Sequence, residues 1–183
     1  MTGADLLSGG QCVSLEEILQ AREKRVARQR HALACYRLPL ISLTLVAPGP
    51  IKNTPAWRRV ADLARAEIVA CCERNQWVCV WETTTAARSG PEWMAALCAP
   101  AKQLKQAMLL LEDEHPLGRL WDIDVIDCDG SVISRSALGK ASRPCLICNE
   151  DAHVCARARR HEPDLLLEEI AKRIERYERN DRD

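Results

Sequence analysis

Apolar positions recur along this chain with two periods, and each change of period marks an element. Leu15, Ile18, Leu19 and Val26 repeat at helical spacing behind Ser14-Leu15-Glu16-Glu17, a capping-box pattern in which the serine and the glutamate three residues on satisfy free backbone N–H groups. A helix is predicted over about 15–31. Leu40 to Val46 is an apolar, partly β-branched run that stops at Ala47-Pro48-Gly49-Pro50, where neither helix nor central strand can continue. It reads as a strand followed by a rigid loop. Thr54-Pro55 supplies an N-cap and an N1 proline for a helix with Trp57, Val60, Ala64, Ile68 and Cys71 on one face. Strands are predicted over Trp77 to Thr84 and Trp93 to Ala99, joined by a turn at Arg88-Ser89-Gly90-Pro91. Pro100 opens a helix with Leu104, Ala107, Met108 and Leu111 inward. A strand from Leu120 to Asp127 then turns back through Asp129-Gly130 into Val132-Ile133. Arg135 to His161 shows little regular patterning, and Pro163 starts a last amphipathic helix with Leu166, Leu167, Ile170, Ile174 and Tyr177.

The order over 40–127 is β-α-β-β-α-β, the split βαβ arrangement of ferredoxin-like domains. The predicted fold class is α+β. One domain over 1–183 is expected, with an N-terminal helix (13–37), an α+β core (38–135), a Cys/His-rich loop segment (136–162) and a C-terminal helix (163–183). In such a sheet the last strand lies antiparallel beside the first. Three loops, 48–54, 88–91 and 115–120, are then predicted to meet at one edge.

Composition narrows the class. The 183 residues are 47% apolar, enough for a core without disulfide staples. The 26 basic and 26 acidic residues cancel, which argues against a protein that coats nucleic acid. An RNA-binding sheet is disfavoured as well, because no exposed aromatic strand motif is present. Ten cysteines would suit a secreted scaffold, but Met1 to Cys12 offers only the apolar pair Leu6-Leu7 in place of a signal segment. No run approaches the ~18 apolar residues of a membrane span. The expectation is a cytoplasmic protein with reduced thiols, with Cys71, Cys72, Cys79 and Cys98 on core faces.

The sharpest local feature is Trp121-Asp122-Ile123-Asp124-Val125. Period-two geometry puts both carboxylates on one face of a strand. Two carboxylates so close repel each other and are tolerated when a divalent cation sits between them; Mg²⁺ takes one or two protein carboxylates and fills its shell with water and phosphate oxygens. The same pattern also fits an edge strand with a solvated face. Arg119 precedes the strand, and the predicted fold brings Lys52, Arg88 and the helix start at Thr54 to the same edge, a setting that favours anions. His115 is a candidate general base, or a loop residue satisfied by Glu112 or Glu114.

Cys145-x₂-Cys148-x₆-Cys155-x₅-His161 forms a second constellation. Three thiols and an imidazole at short spacing can make a tetrahedral Zn²⁺ site that orders a segment with little core of its own. A buried or redox-active Cys-x-x-Cys is the competing reading.

Val46-Ala47-Pro48-Gly49-Pro50-Ile51-Lys52, Ser89-Gly90-Pro91-Glu92, His115-Pro116-Leu117-Gly118-Arg119-Leu120-Trp121-Asp122-Ile123-Asp124-Val125, Arg143-Pro144-Cys145-Leu146-Ile147-Cys148 and Val154-Cys155-Ala156-Arg157 closely resemble the apo-citrate lyase phosphoribosyl-dephospho-CoA transferase family, also called holo-citrate lyase synthase. The likeness spans about residues 13–165. It implies an enzyme that takes 2'-(5''-triphosphoribosyl)-3'-dephospho-CoA and joins its phosphoribosyl-dephospho-CoA part to a serine of the citrate lyase acyl carrier protein, the gamma subunit, releasing diphosphate. On that resemblance Asp122 and Asp124 would hold Mg²⁺ against the triphosphate. Lys52, Arg88 and Arg119, with the glycines Gly49 and Gly118, would bind substrate. His115 or Asp124 would receive the serine's proton. An acidic carrier would dock on the basic stretch from Arg22 to Arg37 or on the cluster from Arg157 to Arg160. The alternative is a zinc-binding interaction module with no catalysis of its own.

Overall fold

A computed structural model of the chain describes residue 7 and residues 9–180. The Leu6-Leu7 pair and the end of the last predicted segment therefore lie partly outside the described residues. The elements are α1 (Leu15–Tyr36), β1 (Leu40–Leu45), α2 (Pro55–Arg74), β2 (Val78–Ala87), β3 (Gly90–Cys98), α3 (Ala101–Glu114), β4 (Trp121–Ile126), α4 (Ala152–Arg157) and α5 (Pro163–Asn180), with short 3₁₀ turns at Gly118–Leu120 and Ser136–Leu138. The four strands form one antiparallel sheet in the order β2-β3-β1-β4, in a mixed α+β architecture.

The capping box forms as its sequence dictates: Ser14 Oγ accepts from Glu17 N–H and the Glu17 carboxylate accepts from Ser14 N–H. Thr54 caps α2 through Trp57 N–H, and Pro55 occupies N1. α1 runs five residues past its predicted end and stops at Arg37, which takes the left-handed conformation at φ 53°. The β2–β3 hairpin is longer than predicted at its turn end, with Ala87 paired to Gly90 and only Arg88-Ser89 between them. Gly90, at φ 118°, adopts a backbone that side-chain-bearing residues rarely reach. The return of the chain after β4 is reduced to a single bridge, Ile126 to Val132.

Alternation splits the sheet into two chemical faces. Ile41, Leu43, Trp93, Ala95, Leu97, Trp121, Ile123 and Val125 pack with α2, α3 and α5 in the main core. Cys71 and Cys72 are buried there as predicted. Cys79 and Cys98, also predicted on core faces, are exposed; the register breaks between Cys79 and Trp81, which spoils the alternation on which that reading depended. On the other face α1 packs at one end only, through Ala32 and Leu33 against Leu40, Ala96 and Ile126. Towards Thr44, Asp122 and Asp124 this face opens into a cleft of about 1620 Å³, walled by Ile18 to Gln29 of α1, by the loops after β1 and β2, and by the Cys/His segment.

Candidate functional site

Asp122 and Asp124 lie on the floor of this cleft. Register places them opposite Thr44 and Ser42 of β1. Thr44 donates to Asp122 at 3.4 Å and Ser42 accepts from Gln29 of α1 at 3.0 Å. Desolvation by the cleft walls raises the pKa of Asp124 above the ordinary carboxylate value, and the neighbouring Asp122 charge raises it further. The Asp124 carboxyl is itself open to solvent, so this desolvation comes from the concave surroundings rather than from enclosure. A pair of carboxylates that disfavour each other, open to a cleft, is a donor set suited to a hard divalent cation.

β4 is an edge strand, and its outward backbone is closed by charged side chains. Glu112 of α3 accepts from Ile123 N–H at 2.9 Å, and Lys105 donates to Ile123 C=O at 2.7 Å. Arg143 donates to Trp121 C=O at 3.0 Å and binds the Glu112 carboxylate. The nitrogen that donates to Trp121 also lies 3.6 Å from the Asp122 carboxylate. Arg135 bridges Glu112 at 3.3 Å and Asp113 at 2.8 Å. Burial raises the Glu112 pKa, opposed by the Arg143 and Lys105 charges, and burial lowers that of Lys105, opposed chiefly by Glu112. The two shifts share one cause, burial, which the Arg143 and Lys105 charges offset only in part at Glu112.

The predicted loops do meet. A Cβ on Gly90 would lie 3.3 Å from the Lys52 carbonyl, Asn53 donates to Ala87 C=O at 2.7 Å, and Val46 N–H donates to Leu120 C=O at 2.9 Å. Lys52 and Arg119 line the cleft. Lys52 donates to Ala47 C=O at 2.5 Å, and Arg119 donates to Pro144 C=O. Burial lowers the pKa of both, and nearby cations lower it further: Arg22 at Lys52, and Arg143, Arg173 and Arg135 at Arg119.

Arg88 is placed elsewhere. Its guanidinium ties the hairpin turn to the start of α1, through Glu17 at 2.9 Å and Cys12 C=O at 2.7 Å. His115 is likewise separated from the aspartates. It stacks on Trp121, centroids 4.3 Å apart, and tilts against Tyr177 at 5.3 Å. Because Trp121 faces the core, the strand alternation that points Asp122 into the cleft leaves His115 behind the sheet. Its Nδ1 accepts from Leu117 N–H at 3.0 Å, and burial lowers its pKa. Gly49 takes φ 74° in the loop after β1. Gly118 is packed on the last turn of α3, where a Cβ would fall 2.3 Å from Leu111 C=O.

The Cys/His constellation converges. The ligand atoms of Cys145, Cys148, Cys155 and His161 all lie within 4.8 Å of one another, with Cys148 Sγ 3.5 Å from Cys155 Sγ and 3.3 Å from His161 Nε2. Such spacings fit four ligands about one metal at bond lengths of about 2.0–2.3 Å. Cys145 N–H donates to Glu150 C=O at 2.7 Å, closing the knuckle, and Asp151 caps α4, which carries Cys155. The cluster can bind a metal such as zinc.

A family model described as apo-citrate lyase phosphoribosyl-dephospho-CoA transferase matches residues 13–177. The curated apo-citrate lyase phosphoribosyl-dephospho-CoA transferases of Escherichia coli O139:H28, Escherichia coli O157:H7 and Shigella boydii serotype 18 are each 40% identical over 161 residues, 88% of this chain and 88% of theirs. The chain belongs to the apo-citrate lyase phosphoribosyl-dephospho-CoA transferase family. The matched stretch takes in the wall helix α1, the aspartate strand and the whole Cys/His segment.

For this transferase the structure adds cleft residues that sequence reasoning missed: Lys105, Arg143 and, behind them, Glu112. A signal was present. Lys105 and Glu112 are seven residues apart on α3, two turns along one face, which is an unusual place for two charges beside Leu104, Met108 and Leu111. Glu92 was also missed. It is 7% exposed and holds Arg25 at 3.5 Å and Arg28, so part of the basic stripe of α1 is bound inward rather than free to meet a partner. Among the described residues, no helix is long and apolar enough to cross a membrane.

Proposed function

We propose that the chain carries out the reaction of its family: transfer of the phosphoribosyl-dephospho-CoA group from 2'-(5''-triphosphoribosyl)-3'-dephospho-CoA to a serine of the citrate lyase acyl carrier protein. The observation that carries this reading is the Asp122 and Asp124 pair on the floor of a cleft walled by cations. The carrier serine oxygen forms a bond to the α-phosphorus while the bond to the β-phosphate breaks, and diphosphate leaves. Asp124, open to the cleft, is the group we assign to receive the serine's proton. Arg119, Arg143 and Lys52 neutralise phosphate oxygens, and the preset positions of Arg119 and Arg143 stabilise charge as it moves to the leaving group. Because the nucleophile arrives on the partner, the site needs no reactive serine or cysteine of its own.

Asp122 and Asp124 are the residues that would hold Mg²⁺, which when bound supplies charge neutralisation for the triphosphate. Cys145, Cys148, Cys155 and His161 would hold zinc as a structural ion, tying the segment behind Arg143 and Pro144 to α4. The sheet order and the β-α-β-β-α-β succession support a ferredoxin-like reading of a single transferase domain. Ten thiols without a disulfide among them suit a reducing cytoplasm.

The test is direct. Protein, apo carrier, triphosphoribosyl-dephospho-CoA and Mg²⁺ are incubated and the carrier is weighed by mass spectrometry. A mass gain of one phosphoribosyl-dephospho-CoA group is expected, with diphosphate released, and Asp122→Asn and Asp124→Asn each slow it by about 100-fold or more. An unmodified carrier would refute the assignment. A folded aspartate variant working at the normal rate would refute the two-carboxylate site.

A further inference from the structure

The cleft has two basic poles rather than one. At the first, Lys52 from the loop after β1 faces Arg22 of α1. Among the described residues neither makes an ion pair with a carboxylate, and the Lys52 ammonium rests on a backbone carbonyl. At the second, Arg119 likewise rests on a backbone carbonyl while Arg143, Arg135 and Arg173 crowd around it. Arg143 there touches Asp122 at 3.6 Å. Arg143 and Arg135 are tied to Glu112 and Arg173 to Glu169, whereas Arg119, like Lys52 and Arg22, makes no ion pair among the described residues; cations left so cost free energy, which an anionic ligand recovers. The cleft, at about 1620 Å³, also exceeds the roughly 300–1,000 Å³ of a pocket for one drug-sized molecule.

The substrate of the proposed reaction carries two separate anions, a triphosphate on one ribose and the diphosphate bridge of dephospho-CoA, with two riboses between them. We propose that the two poles divide these anions: Arg119 and Arg143 grip the triphosphate, and Lys52 with Arg22 grips the diphosphate bridge. The assignment of ends follows from chemistry, since the attacked α-phosphorus must lie at Asp122 and Asp124, and Arg143 is in contact with Asp122. The second anion then falls to the other pair of cations, Lys52 of the loop after β1 and Arg22 of α1, which line the same cleft. This division rests on the reading of the site as a phosphoribosyl-dephospho-CoA transferase. It gives α1 a role in recognising the part of the substrate that does not react.

The poles are separable because each anion is available alone. Binding of dephospho-CoA and of inorganic triphosphate, with Mg²⁺ present, is measured by calorimetry on the full chain. Wild-type protein is expected to bind both at once, neither displacing the other. Lys52→Met and Arg22→Gln each weaken dephospho-CoA by about tenfold or more and leave triphosphate unchanged, whereas Arg119→Gln does the reverse. Retained binding of the second ligand shows in each case that the variant is folded. Displacement of one ligand by the other, or equal weakening of both by every variant, overturns the division while leaving the transferase reading in place. Wild-type protein that binds neither ligand overturns the transferase reading and the division with it.

Discussion

Arg143 locks Glu112 from a position 31 residues further along the chain, and the carboxylate it holds is only 1% exposed. Glu112 also accepts from the backbone of β4, and Arg143 donates to that backbone two residues away. Strand, helix α3 and the segment leading into the Cys/His cluster are thus joined at one buried acid, directly behind the aspartate pair.

Removing that acid leaves Arg143 and Arg135 partly buried without their shared partner, which costs about 3–5 kcal/mol in comparable sites. Glu112→Ala is therefore expected to lower the thermal midpoint by roughly 10 °C. Glu112→Gln, which keeps an acceptor for Ile123 N–H, should lose less. Calorimetric melting of the two variants checks the order, and equal losses would contradict a charge-held joint.

Asp124 makes an opposite prediction about stability. Its folded pKa is raised, so the folded state holds the proton more tightly than the unfolded chain does. The group's favourable contribution is present at low pH and is lost as pH rises from the ordinary carboxylate value through the raised folded value. At pH 7 the ionised group is a net penalty, and Asp124→Asn should melt higher than wild type while transferring the group far more slowly. Near pH 3 the difference should vanish. A stabilisation that persists there would have to come from something other than the charge.

The thiol cluster predicts a stoichiometry. One zinc per chain is expected by elemental analysis, and Co²⁺ loaded in its place should give the thiolate-to-metal absorption of a site with three sulfurs. Cys148→Ser, which removes the sulfur nearest both Cys155 and His161, should lose the metal and open the segment to proteolysis between Arg143 and His161. Its circular-dichroism signal from the sheet and main helices should remain.

Gly118 is a steric requirement. A methyl group there would meet two carbonyl oxygens of α3 at 2.3 and 2.6 Å, and backbone cannot swing aside as a side-chain end does. Gly118→Ala is expected to cost about 2–4 kcal/mol, and urea unfolding measures it. Gly130→Ala meets nothing within 4 Å and serves as the comparison, carrying only the strain of its positive φ.

Much of this was legible in the sequence because it is written in local signals. Caps at Ser14 and Thr54 and the alternation through Trp121 to Val125 each act over a few residues and formed as read, and the Cys-x₂-Cys pair comes together with Cys155 and His161. His115 was misplaced for a reason of the same kind: nearness in sequence to Asp122 says nothing about which side of the sheet a residue reaches. The side that Trp121 takes decides it. Arg88 failed differently, because its partner Glu17 lies 71 positions back and no local pattern joins them. Arg143 was quoted only as part of a motif, since its role depends on a fold-level meeting of three segments.

The closed edge of β4 carries a further consequence. The backbone groups that another chain could pair with on that side are occupied by Lys105, Glu112 and Arg143, of which Lys105 and Arg143 also line the cleft. Protection against strand-to-strand association and, on the proposed reading, handling of phosphate therefore draw on the same two cations. Substitutions here are expected to surface first as insoluble protein, so that a screen scoring only activity would mistake lost solubility for lost chemistry.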